Sequence, residues 1–310
     1  MYPVLHVWVV EPVETGAHGI ATVVVMTSSD EGRTMTSTAQ ASEKTLVRPG
    51  ETVAVCNQKG GQGKTTTAVS LAAELAGRGA RVRLIDADAQ DGSATMWLPP
   101  QWDDVAREEQ YDLVHALTGE VDLDAATWPT TVSGLDIVPS YTSLKRFERE
   151  QTPGRDIALQ AAIAEAADYD VTLIDCPPNL DQITVTALVA ASAVVIPVKA
   201  GGLDLEGIRE LNKTLGLVRS RLRADQRTAA VVVTQKLNSA LTEQVIELLA
   251  TDYPDAVHAV IRHTVRVAEA PLAHQPLTVY APEATATADY AAMAATVFAP
   301  VLDTLVEGAR

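Results

Sequence analysis

Thr52-Val53-Ala54-Val55-Cys56-Asn57-Gln58-Lys59-Gly60-Gly61-Gln62-Gly63-Lys64-Thr65-Thr66 decides the fold. Residues 52–56 read as a short β-rich run. Residues 65–76 read as a helix, closed by Gly77 and Gly79. A glycine-rich loop between a strand and a helix is the context of a phosphate loop. Glycines let backbone N–H groups turn inward around an anion with no Cβ in the way. The helix N-terminus adds partial positive charge. Lys64 would reach the β- and γ-phosphates of a nucleotide, and the Thr65 hydroxyl would hold Mg²⁺. Gly60, Gly61, Gln62, Gly63 and Thr66 complete the expected cradle, with Lys59 at its mouth.

Outward from the loop, strand and helix signals alternate. Apolar, branched runs at 81–85, 171–174, 193–198 and 229–233 read as strands. Residues 181–191, 203–222 and 241–250 read as helices between them, and 285–307 as a final one. Strands buried on both faces and alternating with helices predict an α/β fold, with a mostly parallel twisted sheet and helices on both faces. Residues 97–128 are the least regular stretch.

Two strands end in carboxylates. Leu84-Ile85-Asp86-Ala87-Asp88 starts the first, 22 residues after Lys64 in the case of Asp86. Leu173-Ile174-Asp175-Cys176-Pro177-Pro178 ends the second. In a parallel sheet these ends face one crevice. Asp175 has the Walker B arrangement and would hold Mg²⁺ through a water.

Composition narrows the function classes. The 310 residues are 47% hydrophobic and 21% charged, which suits a globular chain with a substantial core. The net charge of −16 excludes a uniformly basic nucleic-acid coat but leaves room for a local patch. Only 4% of residues are aromatic, which argues against a stacking surface for single strands. No run of apolar residues is long enough for a transmembrane helix. Two cysteines, Cys56 and Cys176, suit a reducing cytoplasm and read as small packing residues. Residues 1–50 differ from the rest and read as a disordered extension, or as the product of a start assigned too early, with Met26 or Met35 the true start. A single domain is expected over 51–310.

Lys-Gly-Gly-x-Gly-Lys-Thr, with Gln58 where the ordinary motif has glycine, resembles the deviant Walker A loop of the ParA/MinD family of P-loop ATPases. The Asp-Cys-Pro-Pro ending also resembles that family. So do Val194-Val195-Ile196-Pro197-Val198 and the late segment Val265-Arg266-Val267-Ala268-Glu269-Ala270-Pro271. The match runs in order through nearly all of 51–300 and is closest to ParA-type, Soj-like partitioning ATPases.

The resemblance implies a P-loop NTPase-like fold and Mg²⁺-dependent hydrolysis of ATP. Lys59 would cross an ATP-sandwich homodimer to the partner's phosphates. Asp88 would orient the attacking water, and Asp86 would lie near the Mg²⁺ shell. The family has proline after its second aspartate, where this chain has Ala89. The resemblance also implies non-specific duplex DNA binding, a ParB-like activator and a cytoplasmic, nucleoid-associated protein. Arg266 matches the family's DNA surface, with Arg262 and Lys236 close to it in the motif. A second basic run comprises Arg209, Lys213, Arg219, Arg221, Arg223 and Arg227; Arg219 and Arg223 have i,i+4 spacing.

Other readings within the fold are less supported. A MinD-like membrane ATPase needs a basic amphipathic C-terminal helix, whereas 285–310 has one basic residue, Arg310. An iron–sulfur cluster needs cysteines in ligand loops, which neither Cys56 nor Cys176 occupies. A regulatory or protein-cargo-positioning relative of ParA remains the alternative to DNA partitioning.

Overall fold

The computed structural model describes residues 22–28, 34–40 and 45–308, apart from 89, 91–92, 150–152, 201–204, 223–224 and 238–239. Ala89 and Arg223 therefore lie outside the described residues. In the N-terminal stretch, β1 (Thr22–Ser28) and β2 (Thr34–Gln40) pair antiparallel.

The main sheet has eight strands: β3 (Glu51–Val55), β4 (Val82–Asp86), β5 (Trp128–Pro129), β6 (Leu135–Val138), β7 (Val171–Asp175), β8 (Ala193–Lys199), β9 (Arg227–Lys236) and β10 (Val257–Arg262). Their spatial order is β10-β9-β8-β3-β7-β4-β6-β5. Every pairing is parallel except β5 with β6, at one edge. β3 is central, between β7 and β8. The chain leaves it through the phosphate loop, at the C-terminal end of the sheet, where such sheets form their crevice.

Successive strand residues point to opposite faces, and the core divides accordingly. Val53 and Val55 of β3 join one apolar cluster, Ala54 and Cys56 the other. The first cluster packs under helices Lys64–Gly77 and Thr285–Val297, the second under Gln182–Ala190 and Leu205–Leu222. Cys56 and Cys176 are fully buried, free thiols. The packed body takes in Leu46 and Val47, ahead of residue 51: both are buried, and the Val47 N–H donates to the Val297 carbonyl at 2.9 Å.

Besides β1 and β2, which lie where a disordered extension was expected, three strands of the main sheet were not expected. β5 is two residues long. β6 is short and lies just after the irregular stretch. β10 is an edge strand whose burial alternates through His258, Val260 and Arg262. The final helix expected at 285–307 is two helices, Thr285–Val297 and Ala299–Gly308, bent by 78°. Pro300 has no N–H for the preceding turn, so the helix restarts around it. Phe298, buried at the bend, fills the corner.

Candidate nucleotide site

The helix Lys64–Gly77 starts directly at the loop lysine, and Gly63 precedes it at φ 87°. That left-handed conformation strongly favours glycine. A Cβ on Gly63 would also lie 3.3 Å from Thr234 Cγ2, a tight contact that Thr234 would have to relieve by shifting. Thr234, on β9, also donates from its hydroxyl to the Gln62 carbonyl at 2.9 Å. Buried Gln62 accepts the Lys199 N–H at 2.7 Å, and the Asn57 amide donates to the Pro197 carbonyl at 2.7 Å. The loop is therefore pinned to β8 and β9.

The two loop lysines have opposite environments. Lys64 is buried and its ammonium donates to the Lys59 carbonyl at 3.3 Å. Lys59 is exposed at the loop's mouth. Thr65 and Thr66 are half-buried, in the first turn of the helix.

Asp86 and Asp175 are register partners at the ends of β4 and β7. Both are fully buried. Asp86 Oδ2 accepts the Thr95 N–H at 2.8 Å and the Thr95 hydroxyl at 2.5 Å, while Oδ1 accepts the Asp88 N–H at 3.0 Å. Burial still pushes its pKa up to about 6, against these hydrogen bonds. Among the described residues neither oxygen of Asp175 has a hydrogen bond of good geometry, the Thr65 hydroxyl being the donor near enough to act on it. Burial first, and then the charge of Asp86, raise the Asp175 pKa well above the carboxylate range; nearby Thr65 and Lys64 pull the other way. Asp88 is half-buried. Its Oδ1 accepts the Gln90 N–H at 3.0 Å, and burial raises its pKa, opposed by that hydrogen bond and by Lys64.

Lys64, Thr65, Asp86, Asp88 and Asp175 thus meet at one end of the sheet. Two orphaned carboxylate oxygens at the end of β7, near a threonine hydroxyl, fit a hydrated divalent cation. Among the described residues no three acidic, histidine or cysteine side chains form a self-sufficient cage, as suits an ion held largely by phosphates and water. Asp86 does not share Asp175's open position: its hydrogen bonds run inward to Thr95 and the Asp88 backbone.

Beside the loop lies a cleft of about 320 Å³, walled by Gly63, Thr66, Thr234, Ile261, Thr264 and Val267. It has the position and size for the nucleoside end of a nucleotide whose phosphates sit in the loop. Sequence reading missed this wall. Gln235, at φ 54°, and a register shift between Val260 and Arg262 mark it, and backbone angles are not written in sequence. A larger cleft of about 460 Å³, by Arg227, Asp252 and Tyr253, lies at the opposite end of the sheet and away from these groups.

The basic candidates divide into two places. Lys236 and Arg262 are register partners at the C-terminal end of β9 and β10, and Arg266 follows. Each is engaged by an acid: Lys236 by Glu243 at 3.2 Å, Arg262 by Asp289 at 2.7 Å, Arg266 by Glu269 at 2.7 Å. Arg219 donates to the Gln226 carbonyl, just before β9 begins. The length of β9 separates that point from Lys236, about 30 Å. The two basic groups therefore do not form a single patch.

Known proteins agree with this architecture. Residues 50–228 match a family described as an AAA domain. The sporulation initiation inhibitor protein Soj of Bacillus subtilis is 39% identical over 238 residues, covering 75% of this chain and 92% of Soj. The chromosome partitioning protein ParA of Caulobacter vibrioides is 38% identical over 240 residues, 75% of this chain and 88% of its own. Among solved structures, cobyrinic acid a,c-diamide synthase from Mycobacterium smegmatis with bound ADP and magnesium superposes with a TM-score of 0.65 at 26% identity, over 84% of this chain and 96% of that one. The Cyanothece McdA–ATP complex gives 0.66 at 23% identity, over 80% and 97%, a likeness of fold alone. With its phosphate loop, its paired strand-end carboxylates and these relatives, the chain belongs to the ParA/MinD family of P-loop ATPases, as a Soj-like partitioning ATPase.

Proposed function

We propose that ATP bridges two copies of this chain, that the dimer binds duplex DNA without sequence preference, and that a ParB-like partner stimulates hydrolysis and releases it. The protein would then work on plasmid or chromosomal DNA in the cytoplasm, at the nucleoid. The ATPase body is assigned to residues 51–310, with 1–50 as an extension before it. The observation that carries the dimer is the contrast between the loop lysines. Lys64 is buried inside the loop, where it serves its own subunit's phosphates, while Lys59 is exposed at the mouth.

The chain's own groups divide the work. Backbone N–H groups of the loop bind the phosphates, and Lys64 neutralises them. Thr65 and, through water, Asp175 would hold Mg²⁺, which supplies charge neutralisation at the β- and γ-phosphates. Asp88 orients the attacking water. Asp86 acts through the loop that it holds. Lys59 places a cation on the phosphates across the dimer, where it offsets developing charge.

The test is binding to non-specific duplex DNA with ATP, with ADP and without nucleotide, across a salt series, alongside light scattering. DNA binding with ATP alone, lost steeply as salt rises, is expected. Lys64→Ala should lose nucleotide. Lys59→Ala should keep nucleotide but lose the ATP dimer, and an unchanged dimer would remove Lys59 from that role. An ATP dimer that ignores DNA at low salt would favour the protein-cargo reading. One observation already supports that second reading: Lys236, Arg262 and Arg266 are each engaged by an acid of the same chain.

A further inference from the structure

We propose that Ser140, on the segment leaving β6, is the positioning residue that aims Asp88. The inference rests on Asp88 being the group that orients the attacking water. Asp88 reaches that task from a loop, so something must fix the direction of its Cα–Cβ bond. Two rigid peptide planes flank any residue, and fixing both sets its φ and ψ. On the N-terminal side, the Asp88 N–H is held by Asp86 Oδ1 at 3.0 Å, and the Ala87 N–H donates to the Asp175 carbonyl at 2.9 Å. On the C-terminal side, the Asp88 carbonyl accepts the Ser140 hydroxyl at 3.1 Å.

Ser140 also holds the short helix Ala94–Trp97 that follows this loop, because its N–H donates to Thr95 Oγ1 at 3.0 Å. Thr95 in turn holds Asp86. Ser140 and Thr95 are both buried, so water does not compete for these bonds. The anchor is itself fixed. The Pro139 carbonyl accepts the Leu113 N–H at 2.9 Å, the Tyr141 ring stacks on Trp102 at 6.0 Å, and the Ser143 hydroxyl donates to Asp112 at 2.8 Å. A group that positions another has to be held this way.

The sequence supplies an independent reason. A proline after Asp88 would restrict the backbone of residue 88. This chain has alanine there. Ser140 provides by a hydrogen bond, from 52 residues away, a restraint that the local sequence omits.

The experiment is a double-mutant cycle on the full chain, reading single-turnover ATP hydrolysis and nucleotide affinity separately. Ser140→Ala should lower the hydrolysis rate roughly 3- to 30-fold, the range between one lost hydrogen bond and a misplaced reactive group. Nucleotide affinity should stay within about twofold, because Ser140 touches no phosphate-binding group. In an Asp88→Ala background, Ser140→Ala should cost nothing further. Thr95→Val, which removes the other grip, should show the same pattern and serves if Ser140→Ala does not fold. An unchanged rate in Ser140→Ala, or a loss that adds in full to that of Asp88→Ala, overturns the inference. If Asp88→Ala alone hydrolyses ATP normally, the Asp88 reading has failed instead.

Discussion

Two strands of this sheet end in the same three residues, Leu84-Ile85-Asp86 on β4 and Leu173-Ile174-Asp175 on β7. The aspartates are neighbours in register and equally buried. Asp86 accepts well-formed hydrogen bonds from the Thr95 N–H, the Thr95 hydroxyl and the Asp88 N–H, whereas among the described residues Asp175 has none of that geometry, only the Thr65 hydroxyl nearby. Thr95 makes the difference: the short helix Ala94–Trp97 folds back over β4 and spends its first-turn N–H and hydroxyl on Asp86. Among the described residues no backbone N–H at the end of β7 is spent on Asp175 in this way. One carboxylate organises a loop, while the other keeps buried, under-satisfied lone pairs beside the phosphate loop. A buried acceptor without a partner costs stability, so its retention points to a cation that arrives with the nucleotide.

The contrast is sharpest under alanine substitution. Asp175→Ala should cut ATP hydrolysis by about 100-fold or more, the scale of losing an electrostatic stabiliser. It should not lower the melting temperature of the nucleotide-free protein and should raise it, since it removes a buried carboxylate that lacks a well-formed partner. Asp86→Ala should do the reverse in relative terms: it strands the Thr95 N–H and hydroxyl and the Asp88 N–H, at about 2–4 kcal/mol of stability. Equal melting temperatures for the two variants would break the comparison.

The pH dependence is a finer probe. Asp86 has a folded pKa of about 6, above its ordinary 3.8. Between those values the folded chain holds a proton that the unfolded chain has released. This group's contribution is therefore fully present below pH 3.8 and declines as pH rises toward 6. Asp175, shifted in the same direction, extends the decline upward. Melting temperature measured against pH should fall through this window in the wild type and fall less steeply in Asp86→Ala, where the burial of Asp175 remains. A wild type that instead gains stability from pH 4 to 6, with no change in Asp86→Ala, would show that the buried pair does not govern the window.

The smallest effect belongs to the basic edge. Arg262→Ala breaks a partly exposed pair with Asp289 and should cost no more than about 1 kcal/mol of stability. Loss of DNA affinity in Arg266→Glu, with the ATP dimer intact, would place the DNA surface at that edge.

Much of this molecule is legible before folding. The phosphate loop, the strands of the sheet centre and the two carboxylate-bearing strand ends follow from apolar runs and glycine spacing. β10 was not, because an edge strand with His258 and Arg262 alternates in burial and lacks a continuous apolar run. Nor was β6, which is four residues long. The bend at Phe298 was overlooked, although Pro300 signals it.

The site divides along the same line. Local sequence determines that Gly63 can adopt φ 87° and that Lys64 opens a helix, because those properties belong to the residue and its immediate neighbours. Sequence alone also places an acid at the end of each strand. It does not separate Asp86 from Asp175, whose preceding residues are identical. Nor does it reveal that Ser140 grips the Asp88 carbonyl or that Thr234 walls the loop. Those facts were decided by the tertiary structure, since hydrogen bonding depends on which distant atoms the packed sheet brings within 3 Å, and no local propensity encodes that distance.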